Sequence, residues 1–541
     1  MIKDEAITNY NSHPSIKTIK SKKFKTSFHF RKVKEEEVYR HLKSINVDKK
    51  VSGLIPNFVL QEGRSELTTI LTRCINSSIE NGVFPTALKR ANVIPVFKKG
   101  DPSSLGNYRP ISLLPALSKI FERIIHEQLT EYFNDKLSPL LCGFRKGFST
   151  QDALLRLLKY CQDSLDSDKY VGVVLMDLSK AYDCISHELL LAKLDAYGLD
   201  TSSLDLMKSY LMDREQRVVI GSHSSQYASI EIGVPQGSIL GPLLFNIFLN
   251  DLLLSYDATA ICNFADDNTI YSSSVQIRDL GQKLQVGVNY MINWFKFNEM
   301  KANPNKFQLI VFHKNRAKVN LTLTVNDVIL ENEDHVRLLG VIFDRNLKFD
   351  KYIKEICDIA QKRLFALIRI RKLIGIEQAN ILANSFILSK FQYCNLLWMF
   401  CSKKEQSRID HIHKRVLRCV YRMPNVNFDE LLCKSNQFDI HTKNLQSLML
   451  FMYKVKNGEC PEIVSELFEK KQLAYSLRNK FLLSLPKSKT KTYGINTVFF
   501  KGVLLWNKLD NPLKDSKNQF VFKRKIKICK IKECTCKICT V

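Results

Sequence analysis

Asp266 and Asp267 stand side by side in Phe264-Ala265-Asp266-Asp267, between β-prone runs at 259–264 and 268–272. Adjacent carboxylates repel each other and Asp is a poor strand residue, so an acidic turn between two strands is costly unless divalent cations occupy it. A third carboxylate, Asp177, ends the apolar run Val171-Gly172-Val173-Val174-Leu175-Met176, which reads as a buried strand. Three carboxylates on two neighbouring strands can hold two Mg2+ ions, or Mn2+ in their place, for an in-line phosphoryl displacement. Asp-Asp by itself is equally the content of a solvated hairpin turn. The surrounding segments decide between the two.

Tyr182 follows Asp177 in Asp177-Leu178-Ser179-Lys180-Ala181-Tyr182-Asp183. A bulky ring beside a metal site could lie under the sugar of an incoming nucleotide and clash with a 2′-hydroxyl, which selects dNTPs by shape. The plainer reading is that Tyr182 and Asp183 start a helix. In Gly233-Val234-Pro235-Gln236-Gly237-Ser238-Ile239-Leu240-Gly241-Pro242, Gly237 lets backbone approach a ligand and Gln236 offers a planar amide. Lys98, in Val96-Phe97-Lys98-Lys99-Gly100-Asp101-Pro102, and Arg109, in Asn107-Tyr108-Arg109-Pro110-Ile111-Ser112, suit a triphosphate, one as a point charge and one as a fork.

The elements that must position these residues follow from periodicity. A strand is expected over 91–97 and an amphipathic helix over 117–133, with Leu117, Ile120, Phe121, Ile124, Ile125 and Leu129 on one face and Lys119, Glu122, Arg123 and Glu127 opposite. Further helices are expected over 58–79, 152–164, 189–194, 203–211 and 282–297, a hairpin over 216–232, and strands over 308–312, 321–325 and 338–343. Beyond Asp350 the strand signals fade and 352–373, 377–397 and 404–421 read as three helices. Residues 1–34, with nine Lys/Arg against Asp4 and Glu5, read as a flexible basic arm. The organisation is then the arm, a helical extension over 35–90, a mixed α/β body over 91–349, a helical domain over 350–435 and a basic C-terminal region over 436–541.

With 541 residues the chain can form several packed units. Its 81 Lys and Arg against 54 Asp and Glu give +27, an excess that points to a polyanion such as nucleic acid. The 15 cysteines are mostly scattered singly, and the Lys-rich start has no hydrophobic leader, so reduced thiols in cytoplasm or nucleus are expected rather than secretion. The longest apolar stretch is broken by Pro242, Asn246, Asn250 and Asp251, so no membrane partner is expected.

In this order the segments resemble the reverse transcriptases of non-LTR retrotransposons, the LINE-type class close to the jockey and CR1 groups. The resemblance runs strongly over about 30–349 and weakly on to Trp506-Asn507-Lys508-Leu509, with Phe264 where Tyr is more usual in the catalytic box. It implies a right-hand polymerase with fingers, an antiparallel-sheet palm and a helical thumb. Asp177, Asp266 and Asp267 would be the catalytic carboxylates, with the Leu178 carbonyl a further metal ligand. Tyr182 would be the sugar gate, Gln236 and Gly237 would touch nucleotide and template, and Lys98 and Arg109 the phosphates. Lys301 or Lys306 would lie near the leaving pyrophosphate. Leu338-Leu339-Gly340-Val341 would be a primer-gripping hairpin, and the helices after Asp350 a thumb following an RNA–DNA duplex. The implied partners are an RNA template, a DNA primer or nicked target DNA, and dNTPs. Full-length relatives usually carry an endonuclease before the polymerase; no nuclease constellation precedes Lys98, so an endonuclease supplied elsewhere is expected. The competing reading is a catalytically silent nucleic-acid-binding remnant of a retrotransposon.

One motif stands outside this series. Cys529, Cys534, Cys536 and Cys539 lie within eleven residues among lysines. Four thiolates suit Zn2+, yet the single residue between Cys534 and Cys536 works against tetrahedral closure, and no His follows to complete a knuckle. Zinc and a plain basic tail both stay open.

Overall fold

The computed structural model describes residues 10–24, 26–48, 55–315, 319–470, 483–531 and 534–539. They divide into two units: one drawn from Met1–Phe144, Asp177–Asp257 and Asn289–Asn303, the other from Arg145–Met176, Ala258–Val288 and Pro304–Val541. Helix and sheet are mixed, as the sequence predicts.

In the first unit, Arg90–Phe97 pairs antiparallel with Tyr108–Leu113 and parallel with Arg214–Ile220. Arg214–Ile220 in turn carries the short strands His223–Ser224 and Ala228–Ile230. The hairpin expected over 216–232 is therefore part of one sheet with the first strand pair. The Ala116–Phe133 helix buries Ile120, Phe121, Ile124, Ile125 and Leu129, as its spacing requires. Glu122, expected on its solvent face, is instead 0% exposed. The helix expected over 58–79 is two helices, Asn57–Glu62 and Arg64–Asn81, parted at Gly63.

The flexible arm is corrected from Tyr10 onward; residues 1–9 lie outside the described residues. Pro14–Ser21 is a helix, because Ile16 and Ile19, one turn apart, are 2% and 0% exposed and pull the lysine-rich stretch into the core. Ser15 Oγ donates to Asn298 Oδ1 at 3.1 Å. Phe28 N donates to Gly198 O and Asp200 N to Phe28 O, at 2.8 and 2.9 Å, and the rings of Phe28 and Tyr132 meet at 4.9 Å.

Deeper in this unit lies a buried ion pair. Lys193 Nζ donates to Asp251 Oδ1 at 2.7 Å, to Asn298 Oδ1 at 2.6 Å and to Phe248 O at 2.7 Å, while Trp294 Nε1 donates to Asp251 Oδ2 at 2.8 Å. Burial pushes the Lys193 ammonium toward its neutral form and the Asp251 carboxylate opposes this. The pair ties the Gly241–Ser255 helix, buried on nearly all sides, to His187–Ala196 and to the end of Ile277–Phe297.

The second unit is built on a four-stranded antiparallel sheet in the order Ala260–Phe264, Asp267–Ser274, Tyr170–Met176, Gln308–Phe312. Tyr170–Met176 is the most apolar strand and has a partner on both edges, which matches its run of valines. The Thr150–Asp166 helix, opened by a Ser149/Asp152 capping box, buries Leu154, Leu155, Leu157 and Leu158. The single strand expected over 338–343 is a hairpin, His335–Leu338 with Val341–Asp344, because Leu339 and Gly340 both take positive φ in a two-residue turn. Helices Asp350–Ile370 and Lys403–Tyr421 form as expected, but the helix expected between them is interrupted. Ile376–Leu382 passes into a π-helical turn at Ala383–Ile387, and Cys394, at φ 46°, precedes a short helix at Asn395–Trp398. Beyond it, Ile440–Lys456, Val498–Lys508 and Gln519–Ile526 continue the helical packing. Among the described residues no helix is long and apolar enough to cross a membrane.

The buried pair gives the first prediction. Asp251→Asn removes the counter-charge and should cost about 3–5 kcal/mol, read as a shift in the denaturant midpoint at unchanged slope. A shift under about 1 kcal/mol would contradict the charge assignment.

Candidate active site

Phe264 pairs with Asp267, so the turn between the strands consists of Ala265 and Asp266, and Asp267 is already the first residue of its strand. The acidic turn is thus one residue earlier than the sequence suggests. Ala265 takes φ 57°, the sense a two-residue hairpin demands of its first residue. Asp266 and Asp267 are exposed. In the neighbouring strand Met176 pairs with Asn268. Asp177 is the residue after Met176, and Asp267 the residue before Asn268.

Asp177 opens the second segment of the first unit, where its backbone is clamped. Asn303 N donates to Asp177 O at 3.1 Å and Ser179 N to Lys301 O at 2.8 Å, flanking a bridge between Leu178 and Ala302. That bridge does not use the Leu178 carbonyl. Carboxylates and a backbone carbonyl are hard oxygen donors, the set that Mg2+ takes, and so the residues present fit the expected ion.

Tyr182, Gln236 and Gly237, expected to contact nucleotide, gather within the first unit. Tyr182 stacks on Phe245 with ring centroids 4.7 Å apart and planes at 16°, and meets Phe144 edge-on. It lies in a short 3-10 turn, Ala181–Cys184, rather than at the start of a longer helix. Val234 N donates to Tyr182 O at 3.0 Å, and Gln236 Nε2 to Asp183 Oδ1 at 2.9 Å. Ser112 N donates to Gln236 O at 2.8 Å, joining this loop to the Tyr108–Leu113 strand that carries Arg109. Gly237 is at φ 135°, and a Cβ there would stand 2.5 Å from Ser112 O. Gly233, at φ 85°, would collide likewise with Asp183 Cα at 2.8 Å. Only glycine permits either approach.

Lys98 and Arg109 are both exposed on the first strand pair, where Val96 pairs with Arg109 and Lys98 N donates to Asn107 O. Lys301 is in the first unit and Lys306 in the second. In the second unit Arg371, Lys372, Arg415, Arg418 and Arg422 line a groove of about 780 Å³.

The family model described as reverse transcriptase (RNA-dependent DNA polymerase) matches residues 96–343. The chain is 27% identical over 408 residues, 72% of its own length, to a probable RNA-directed DNA polymerase from transposon BS of Drosophila melanogaster. It is 29% identical over 321 residues, 57% of its length, to the RNA-directed DNA polymerase from mobile element jockey of the same fly. A probable RNA-directed DNA polymerase from transposon X-element, also of that fly, is 26% identical over 377 residues, 68% of the chain. The chain spans less than half of these relatives: 45%, 34% and 41% of their lengths.

Two supports of this region escape sequence reading. Asn263 and Asn268, 0% and 1% exposed, lie under the acidic turn. Asn263 Nδ2 donates to Ala265 O and to Asn268 Oδ1, each at 2.9 Å, and Asn268 Nδ2 donates to Asp266 O at 3.3 Å. Paired amides at the inner ends of two strands are the signal that could have revealed them. Glu122 is the other: its Oε2 accepts from Ile239 N at 2.5 Å and Leu240 N at 3.4 Å, and its Oε1 from Ser118 Oγ at 3.2 Å. Burial pushes its carboxyl up, and the Ile239 amide and the Arg214 charge oppose this.

The cysteine tail is corrected in its membership. Cys534, Cys536 and Cys539 come together, but the fourth member is His441 and not Cys529; the four ligand atoms lie within 4.8 Å of one another. Cys529 Sγ instead approaches Lys525 O. Burial opposes charge on His441, but the Cys534 and Cys536 sulfurs prevail and raise its pKa to about 9.

Asn263→Ala would strand the Ala265 carbonyl and an amide of the pair. It should destabilise the fold by about 1–3 kcal/mol and speed hydrogen exchange at the turn amides, and Asn263→Asp, which keeps the shape but loses the Nδ2 donor, should speed exchange at least as much. Unchanged exchange in Asn263→Ala would refute the support role.

Proposed function

We propose that this chain is an RNA-directed DNA polymerase of the non-LTR retrotransposon type, extending a DNA primer on an RNA template. What supports the reading is the family match over residues 96–343, together with the pairing of Met176 with Asn268, whose neighbours in the chain are Asp177 and Asp267. In this reading the antiparallel sheet is the palm, the strand pair bearing Lys98 and Arg109 belongs to the fingers, and the helices from Asp350 are the thumb. Its basic groove would follow the phosphates of the duplex. The place of work would be cytoplasm and nucleus.

Asp177, Asp266 and Asp267, with the Leu178 carbonyl, would hold two Mg2+ ions. When bound, these supply activation of the primer 3′-hydroxyl for attack on the α-phosphate and neutralise the departing pyrophosphate. The chain's own groups do the positioning. Lys98 and Arg109 bind the triphosphate; Lys301 or Lys306 meets the leaving group. Tyr182, fixed by its stack on Phe245, closes the floor under the sugar. Gln236, held through its amide by Asp183, and Gly237, held against Ser112, present a fixed edge to nucleotide and template.

Primer extension on an RNA template with Mg2+ and dNTPs tests the proposal. Asp266→Ala should lower the rate roughly 10³-fold, about 4 kcal/mol of transition-state stabilisation. A parent chain as inactive as Asp266→Ala would favour the silent remnant. In the same assay Tyr182→Ala should raise ribonucleotide use relative to dNTPs by about tenfold or more; unchanged selectivity would remove Tyr182 from the sugar site.

A further inference from the structure

We propose that His441, Cys534, Cys536 and Cys539 form a structural Zn2+ site that fastens the end of the chain to the Ile440–Lys456 helix. The site uses none of the residues assigned to nucleotidyl transfer and stands whether or not that reading holds.

Geometry comes first. Ligands bound about 2.0–2.3 Å from a tetrahedral ion stand roughly 3.5–3.8 Å from each other. The His441 Nε2 to Cys536 Sγ separation is 3.4 Å and all four ligand atoms fall within 4.8 Å, so a small adjustment closes the tetrahedron. The objection raised by the Cys-x-Cys spacing disappears, because the tail fills only three corners. The fourth comes from a helix whose His lies 95 residues earlier in the chain than Cys536.

Burial and seating agree. His441, Cys534 and Cys536 are 4%, 8% and 1% exposed. Lys501 Nζ donates to Thr535 O at 2.9 Å and to Thr535 Oγ1 at 2.7 Å, and Gln446 Nε2 donates to Cys529 O at 2.9 Å. The tail is therefore tied to the Ile440–Lys456 helix before its ligands and to the Val498–Lys508 helix between Cys534 and Cys536. Three thiolates and a neutral imidazole leave the bound ion with a net charge of −1, and the Lys501 ammonium stands nearby to offset it. Binding releases the thiol protons and any imidazolium proton to solvent. Sulfur-rich donors select Zn2+ over Mg2+, and four protein ligands leave no position for substrate, which marks a structural ion.

The full chain, expressed with zinc and desalted, should carry about one zinc ion by elemental mass spectrometry. Cys536→Ser and His441→Gln should lose most of it, and Cys529→Ser should keep it. Cobalt exchanged into the parent should give the visible bands of a tetrahedral thiolate site, a readout that needs no variant. A chelator should lower the unfolding temperature of the parent and leave Cys536→Ser unmoved. A parent without zinc that also takes up no cobalt would overturn the proposal. So would equal metal loss in Cys529→Ser and Cys536→Ser, or a Cys534–Cys539 disulfide in protein kept under reducing conditions.

Discussion

Like charges at the end of a sheet constrain everything else in this protein. Asp266 and Asp267 are adjacent on a two-residue hairpin, and Asp177 follows in sequence on Tyr170–Met176, the strand paired with theirs. Such a turn is not favoured by its own residues. It is held by what lies beneath it: a left-handed Ala265 and two buried amides that bind the turn's carbonyls. The antiparallel arrangement also matters. It lets strands that are distant in sequence end at one edge, and it surrounds the apolar Tyr170–Met176 with a partner on each side. Core packing thus fixes where the acids emerge, while the amides fix how the turn is shaped.

The loop around Gln236 obeys a second constraint, the absence of side chains. Gly233 and Gly237 let three segments of the first unit share backbone: the turn after Asp177, the Tyr108–Leu113 strand and the loop itself. Glu122 completes the arrangement from the Ala116–Phe133 helix by accepting the amides of Ile239 and Leu240, which lead into the Gly241–Ser255 helix. A buried acid is costly unless hydrogen-bonded, so its place at a helix start, where donors lack partners, is physically economical.

Much of this was legible in the sequence, and the failures are instructive. The Tyr170–Met176 strand, the Ala116–Phe133 helix and the glycine loop depend on local composition and spacing, which a reader of residues can weigh. The Lys-rich start was misjudged because net charge hid two isoleucines one helical turn apart, Ile16 and Ile19. The helix expected over 377–397 has the right composition, but Cys394 takes a left-handed conformation set by its surroundings, where Asn395 Nδ2 donates to Asn444 Oδ1 at 2.8 Å. Glu122 looked solvated since helical periodicity cannot tell a charged face from one that meets another segment's amides. His441 was invisible as a partner of the cysteines: only packing brings it to them.

Two donor sets in one chain invite the question of how each would keep its own metal. The acidic turn offers hard oxygens on an exposed edge, where weak, water-rich coordination suits ions that must accommodate changing phosphate ligands. The tail offers three soft sulfurs and an imidazole, mostly buried and closed to a fifth ligand. Affinity alone would let zinc compete at both, since it outranks lighter divalent ions at most nitrogen, oxygen and sulfur sites. Sulfur content and burial therefore make the division, drawing zinc to the tail. On this view the cysteines protect the chemistry only indirectly: they stabilise the helical unit and draw zinc away from the proposed carboxylate site.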